Sequence, residues 1–312
     1  MTVTVISQHA RRYLDGRLPA WVEPRWFAGR DELYALLPEA EIGWFDGVGL
    51  DTMLDAPRNA PRLKWLNTFM AGVEDWPLAA LRESGVTFTN GTGVNDIAVA
   101  EYAVMGMLVI AKNYREVARA QDRHEWLSDA PGKLELHGSK ALIVGAGAIG
   151  KRIAAMLAPF HVAITEVRRR AQDGALGPDQ WRARLGEFDW VIVAVPATAD
   201  TNAMFGAAEF AAMKRSAAIL NFARGTVIDQ TALIEAVEGG QLGGAFLDVT
   251  DPEPLPAEHP LWSCENIHIS QHLSGRSQTA LFARASERFL ENLARWEKNE
   301  PLLGTVDLYL GY

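Results

Sequence analysis

Three polar residues each follow an apolar, strand-like run in the second half of this 312-residue chain. Arg224 follows AAILNFA, Glu253 follows GAFLDVTDP, and His272 follows NIHISQ. If these runs are strands of one parallel sheet, their carboxyl ends share an edge, the edge where doubly wound sheets bind ligands. The three types suit chemistry at a carbonyl beside a carboxylate. A guanidinium grips both groups with paired hydrogen bonds. An imidazole exchanges a proton near neutral pH. A carboxylate orients that imidazole and favours its charged form.

The elements that must position them can be read from periodicity. Six strand-like runs, ALIVG (141–145), VAITEV (162–167), WVIVAV (190–195), AAILNF (217–222), GAFLDV (244–249) and IHIS (267–270), are mostly separated by helical stretches. Such alternation predicts a doubly wound domain. Between the first run and a helical face formed by Ile149, Ile153, Met156 and Leu157 stands Gly145-Ala146-Gly147-Ala148-Ile149-Gly150. Gly145 permits the tight turn, Gly147 lets a pyrophosphate approach the backbone, and Gly150 lets the helix pack close to the sheet. Amides near Ala148 and Ile149 would face the pyrophosphate from the helix N-terminus. Eighteen residues beyond Gly150 stands Arg168, followed by Arg169 and Arg170. An acidic residue there would hold the ribose 2′-hydroxyl of NAD. An arginine would instead fork hydrogen bonds to a 2′-phosphate, so the expected cofactor is NADP, with NADPH preferred over NADH. Any of the three arginines could make the contact.

The glycine motif stands behind 144 residues, which predicts that the cofactor domain is inserted into another. In the first part, TVTVI (2–6), EIGWF (41–45), LKWL (63–66) and VTFT (86–89) read as strands, with helices at 30–37 and 77–84. Residues 95–121 read as one helix, apolar nearly all round in its first half (Ile97, Val99, Tyr102, Val104, Met105, Leu108, Val109). It is expected to be buried on every side, between domains or at a subunit interface. Residues 123–138, with a Pro-Gly turn, form either an arm across a dimer or a surface connection. An amphipathic helix at about 277–298 carries the chain back to the first domain. The expected boundaries are 1–95 with 285–312, and 96–284.

Composition narrows the function classes. With 48% hydrophobic and 22% charged residues the balance is that of a globular protein. A net charge of −9 argues against nucleic acid or an anionic membrane as partner. The single cysteine, Cys264, excludes an intrachain disulfide and suits the cytoplasm. The N-terminus places its basic residues behind a short apolar run, the wrong order for a secretory signal.

Taken together, these motifs resemble the D-2-hydroxyacid dehydrogenases, and most of all their glyoxylate/hydroxypyruvate reductase branch. The likeness runs through MAGVED (70–75), VAEYAV (99–104), the glycine motif, VAVPATADT (193–201), LNFARGTVID (220–229), LDVTDPEPLPAEHPLW (247–262), SQHLSG (270–275) and the closing EPLLGTVDLYLGY (300–312). The resemblance implies a Rossmann cofactor domain inserted into a flavodoxin-like substrate domain, both α/β with doubly wound parallel sheets. It implies that Arg224 binds the substrate's carboxylate and carbonyl oxygen, that His272 protonates that oxygen as hydride arrives, and that Glu253 hydrogen-bonds His272. Asp248 would anchor the nicotinamide amide. Val195, Pro196, Thr201, Phe222, Ala223 and Ser274, with Arg224 and His272, would line the cofactor. Met70, Ala71, Gly72 and Val73 would hold the substrate carboxylate from the other domain, and closure of the domains would exclude water. The expected molecule is a homodimer acting on a small anionic 2-keto or 2-hydroxy acid.

Two departures from the family stand out. Gln271 replaces the usual proline before the catalytic histidine, and Arg168 replaces the usual acidic residue. A formate-oxidising relative would carry glutamine at Glu253, which weakens that rival. A non-catalytic NADP(H) sensor is the alternative from another class. Cys264, His268 and His272 tempt a metal reading, but the segment reads as a strand and no carboxylate joins them at ligand spacing, so no metal is expected. Trp44, Phe45, Phe69, Met70 and Trp262 either shape the substrate pocket or pack the core.

Overall fold

The computed structural model describes residues 1–169, 171 and 174–312. The chain forms two compact units, Met1–Asn95 with Gln278–Tyr312, and Asp96–Ser277.

The first unit runs β1 (Thr2–Ser7), α1 (Arg11–Leu14), β2 (Val22–Phe27), α2 (Arg30–Leu36), β3 (Ile42–Trp44), α3 (Leu50–Asp55), β4 (Trp65–Asn67), α4 (Leu78–Glu83) and β5 (Thr87–Thr89). All five strands are parallel, in the order β2-β1-β3-β4-β5, which is the flavodoxin-like order. Side chains alternate across the sheet. Val5 and Leu66 join one core with Phe27 and Phe88, while Ile6 and Trp65 join the other with Trp44. Four of these strands lie where periodicity places them. β2 escaped it because Glu23, Pro24 and Arg25 interrupt the pattern. It is an edge strand, where proline and charge are tolerated.

The second unit opens with α5 (Asp96–Lys112) and α6 (Tyr114–Asp122). The single helix expected over 95–121 is broken at Asn113, whose φ of 45° is left-handed, and the two pieces bend by 72°. Asparagine is among the few non-glycine residues that visit this region readily. Within the single chain Ala98, Ala103 and Met107 of α5 are buried, whereas Glu101 and Met105 are exposed. Residues 123–138 form neither helix nor strand, and return to the end of α5 through Lys112 Nζ, which donates to the Leu134 carbonyl at 2.6 Å.

The chain continues through β6 (Lys140–Val144), α7 (Ala148–Leu157), β7 (Ala163–Val167), β8 (Trp190–Val193), α8 (Ala207–Ala212), β9 (Ala218–Asn221), α9 (Gln230–Glu238), β10 (Gly244–Leu247) and β11 (Ile267–Ile269). The parallel order is β7-β6-β8-β9-β10-β11. A parallel bridge from Val167 to Leu176 adds a vestigial strand outside β7. Counted with it, the order is that of a dinucleotide-binding Rossmann sheet, with its third strand reduced to one residue pair and β11 added as a seventh strand beside β10.

α10 (Leu281–Glu297) then rejoins the first unit, laying Ala285, Phe289 and Leu293 on the face that holds Trp44 and Trp65. The Phe289 ring lies 5.2 Å from each tryptophan. The unit changes at Gln278, earlier than the expected 285, because the whole of α10 packs within the first unit. The tail covers the β5 edge, where Val306 N–H donates to Phe88 O at 2.8 Å. Among the described residues, no single helix is long and apolar enough to cross a membrane.

α5 sits close on β10 because Gly106 has no side chain: a Cβ there would meet the Phe246 ring at 2.8–3.0 Å. Gly106→Ala is therefore expected to destabilise the second unit by about 1–3 kcal/mol through overpacking. A thermal or urea melt of the variant checks this.

Candidate active site

β9, β10 and β11 are adjacent, and their carboxyl ends carry the three polar residues. β9 ends in the buried Asn221, whose amide donates to Arg224 O at 2.9 Å while its oxygen accepts from Ala223 N–H at 3.0 Å. This Asx turn sets the path of the backbone that presents Arg224. The Arg224 guanidinium donates to Ala223 O at 2.8 Å through Nη1.

Glu253 faces His272. Its Oε2 lies 2.7 Å from His272 Nδ1, and its Oε1 accepts from Thr250 N–H at 3.0 Å. Partial burial by itself would raise the Glu253 carboxyl. The hydrogen bonds from His272 and Thr250, with the charges of His272 and Arg224, outweigh it and hold the carboxyl below the usual carboxylate value. The influence of Arg224 on Glu253 brings all three polar residues into one electrostatic neighbourhood.

The His272 loop is fixed by Asp248. This buried carboxylate accepts from Ser270 Oγ at 2.7 Å, from Ser274 N–H at 3.2 Å and from Ser274 Oγ. The Asp248 carbonyl accepts His272 N–H at 2.5 Å. Thus both flanks of His272, and its own amide, are tied to one residue at the end of β10. Gln271 and His272 have φ of 55° and 54°. Proline, whose ring fixes φ near −65°, could not adopt the Gln271 conformation, so the departure from the family pattern accompanies a distinct backbone. The Gln271 side chain is exposed.

The glycine motif forms a cradle suited to a dinucleotide. Gly145 has φ of 104°, and a Cβ on it would lie 2.4 Å from Ala194 O. A Cβ on Gly150 would lie 2.3 Å from Gly145 O, whereas one on Gly147 would meet nothing within 4 Å. α7 begins at this open position with no side-chain cap, leaving first-turn N–H groups for an anion. Thr201 Oγ1 donates to Pro196 O at 2.8 Å and folds the loop after β8, with Val195 half-buried at its start. Phe222 and Ala223 are buried in hydrophobic cores, so only their backbones are available to a ligand. Arg168 donates to Glu166 Oε2 through Nε and Nη2, at 3.2 and 2.7 Å. Arg169 is its neighbour, and Arg170 lies outside the described residues.

In the first unit, Met70 N–H donates to Thr68 Oγ1 at 3.1 Å, and Ala71 O accepts from Asn90 Nδ2 at 2.9 Å. Among the described residues, the N–H groups of Ala71, Gly72 and Val73 have no hydrogen-bond acceptor. Successive amides without an acceptor leave donors available to an anion. Trp44 and Phe45 are wholly buried core residues, whereas Phe69 and Met70 are half-buried and Trp262 is partly exposed.

Among the described residues, no three His, Cys, Asp or Glu side chains gather as a metal site. His268 is pushed down to about 4 by burial and by the charges of Arg115 and Arg119. Asn221 and Thr250, which position Arg224 and Glu253, went unread in the sequence. An Asn three residues before an arginine at a strand end was the available signal for the first. The Thr250 contact is a backbone bond and leaves no trace in residue type.

Residues 104–274 match the family model described as D-isomer specific 2-hydroxyacid dehydrogenase, NAD binding domain. The chain is 32% identical to glyoxylate/hydroxypyruvate reductase B of Citrobacter koseri, over 72% of each chain. It is 30% identical to glyoxylate reductase of Korarchaeum cryptofilum, over 77% of this chain and 75% of that one. A D-isomer specific 2-hydroxyacid dehydrogenase family protein from Aeromonas salmonicida has a solved structure similar to this one, with a TM-score of 0.85 and 27% identity, over 98% of this chain and 99% of that one. With a model match over more than half its length and a Rossmann cradle beside the Arg224, Glu253 and His272 cluster, this chain belongs to the D-isomer-specific 2-hydroxyacid dehydrogenases.

Proposed function

We propose that the chain is an NADPH-dependent reductase that converts a 2-keto acid to the D-2-hydroxy acid. The observation that carries this reading is the 2.7 Å contact between Glu253 and His272 Nδ1, which leaves Nε2 as the proton donor. The bound reduced nicotinamide supplies the hydride for the keto carbon. His272 Nε2 gives its proton to the carbonyl oxygen, which becomes the hydroxyl. Glu253 orients the ring and offsets its charge. Arg224 grips the carboxylate and the carbonyl oxygen, and the amides of Ala71, Gly72 and Val73 take the carboxylate. Asp248 holds the carboxamide of the nicotinamide. The names of the similar reductases make glyoxylate and hydroxypyruvate the first substrates to try. Arg168 supports the choice of NADPH, since its guanidinium suits a 2′-phosphate. The reading takes the working molecule as a homodimer in the cytoplasm.

Arg224→Ala is expected to cut turnover by roughly 10²–10³-fold, the scale of removing one charge-stabilising donor. Binding of NADPH, followed by fluorescence, should persist. An NADP(H) sensor would show no turnover to lose. Reduction should also weaken as pH rises, because only protonated His272 can donate. Rates fastest in strong base, with substrate binding unchanged, would exclude the acid role. In a panel of 2-keto acids against both cofactors, NADPH should be preferred, and Arg168→Ala should erode that preference by about one to two decades. Equal use of NADPH and NADH by the unmodified enzyme would refute the role of Arg168.

A further inference from the structure

The first unit buries a carboxylate that the chemistry above does not use. Asp46, one-hundredth exposed, lies just beyond β3. Its Oδ2 accepts from Trp44 Nε1 at 2.6 Å and from Phe69 N–H at 2.9 Å. Its Oδ1 accepts from Thr68 Oγ1 at 2.8 Å. The Thr68 hydroxyl in turn accepts from Met70 N–H at 3.1 Å. One side chain therefore holds two consecutive amides, Phe69 directly and Met70 through Thr68, and these two residues lead into the free amides of Ala71, Gly72 and Val73.

We propose that Asp46 is a positioning residue for substrate binding: its ionised carboxylate holds the start of the 70–73 loop so that the next three amides are aimed at the substrate's carboxylate. The inference rests on the reading of residues 70–73 as the substrate loop.

The partners explain why ionisation matters. The indole and the backbone amide only donate, so a protonated Asp46 has one place to put its proton, the Thr68 hydroxyl. That reverses the Thr68 bond, and the relay to Met70 loses the polarisation that an ionised acceptor gives it. Burial pushes the Asp46 carboxyl up to about 6, although the Phe69, Thr68 and Trp44 donors act to lower it. Of the groups around it, the β1 connection brings His9, whose ring occupies the space over Gly47. From α10 come the uncharged Phe282, which stacks on Trp44, and Phe289. Charged residues of α10 are engaged elsewhere: Arg284 donates to Gln278, Glu287 pairs with Arg17, Arg295 pairs with Glu291, and Arg288 lies beside Gly93 and Gly304. The segment after β4 contributes only Thr68 and Phe69. Among the described residues, no charged group acts on the Asp46 carboxyl.

The test is the affinity of the NADP-loaded enzyme for oxalate, an unreactive small carboxylate, by calorimetry from pH 5 to pH 8. Asp46→Asn mimics the protonated state. At pH 8 it should bind oxalate several-fold more weakly than the unmodified enzyme, and the ratio should close toward one by pH 5, with its midpoint near 6. Taking the ratio cancels the pH effects that the two proteins share. A ratio that stays constant with pH, or stays at one throughout, overturns the proposal. Thr68→Val keeps the carboxylate and removes the relay, so it should also weaken oxalate several-fold at pH 8; unmodified affinity would overturn the proposal too. It serves as the test if Asp46→Asn does not fold. Gly72→Asp sets a negative charge in the loop. If it leaves oxalate binding intact, the loop reading itself fails; if it weakens binding while the Asp46 ratio is flat, only the role of Asp46 fails.

Discussion

Parallel strands all end on the same side, and this constraint governs everything else in the second unit. Because β9, β10 and β11 pair in register, the residues after Asn221, Leu247 and Ile269 emerge along one edge. A guanidinium, a carboxylate and an imidazole separated by up to 48 positions in the chain are thereby gathered without any local signal between them. The same edge carries the glycine turn after β6, next to the loop after β8. Sheet polarity brings the chemistry together, and short hydrogen-bonded turns then aim each group.

Aiming has a conformational cost. Gln271 and His272 both occupy the left-handed region, at about 1–2 kcal/mol per residue for side chains of this kind. Asp248 offsets it by accepting from residues on both sides of the pair and from the His272 amide itself. Each hydrogen bond to a charged acceptor contributes roughly 1.5–3 kcal/mol, so the clamp is of sufficient size. The serines at 270 and 274 thus belong with the histidine, whose loop they hold.

Three carboxylates show how environment assigns different work to one functional group. Glu253 is partly exposed and beside positive charge, so it stays ionised below the usual range. Asp248 is buried among hydroxyl and amide donors and serves as a clamp. Asp46 is buried without a cationic partner, and its ionisation is brought to about 6. Arg168 gives the cationic counterpart: its guanidinium rests on Glu166, two residues back on the strand. A 2′-phosphate would have to compete with that pair, which makes cofactor preference a difference between two ionic contacts rather than a property of the arginine alone.

Much was legible from the residues because it is local. The six strands of the second unit, the glycine turn and the residue types at the strand ends depend on periodicity and on neighbours within a few positions. The flavodoxin-like and Rossmann architectures followed from that alternation together with the family likeness. The edge strand β2, hidden by Glu23-Pro24-Arg25, the left-handed break at Asn113 and the change of unit at Gln278 rather than 285 were not legible: pairing with β1 and the packing of α10 decide the first and the last, and Asn113 offers only a residue type that tolerates the turn. Nor could the sequence say that Asp46 would hold the Phe69 amide, or that Ser270 and Ser274 would meet on Asp248. Residue type sets what a group can do; whether it is buried, and which donors face it, is decided only when polar atoms of residues 20 or more positions apart are brought within 3 Å.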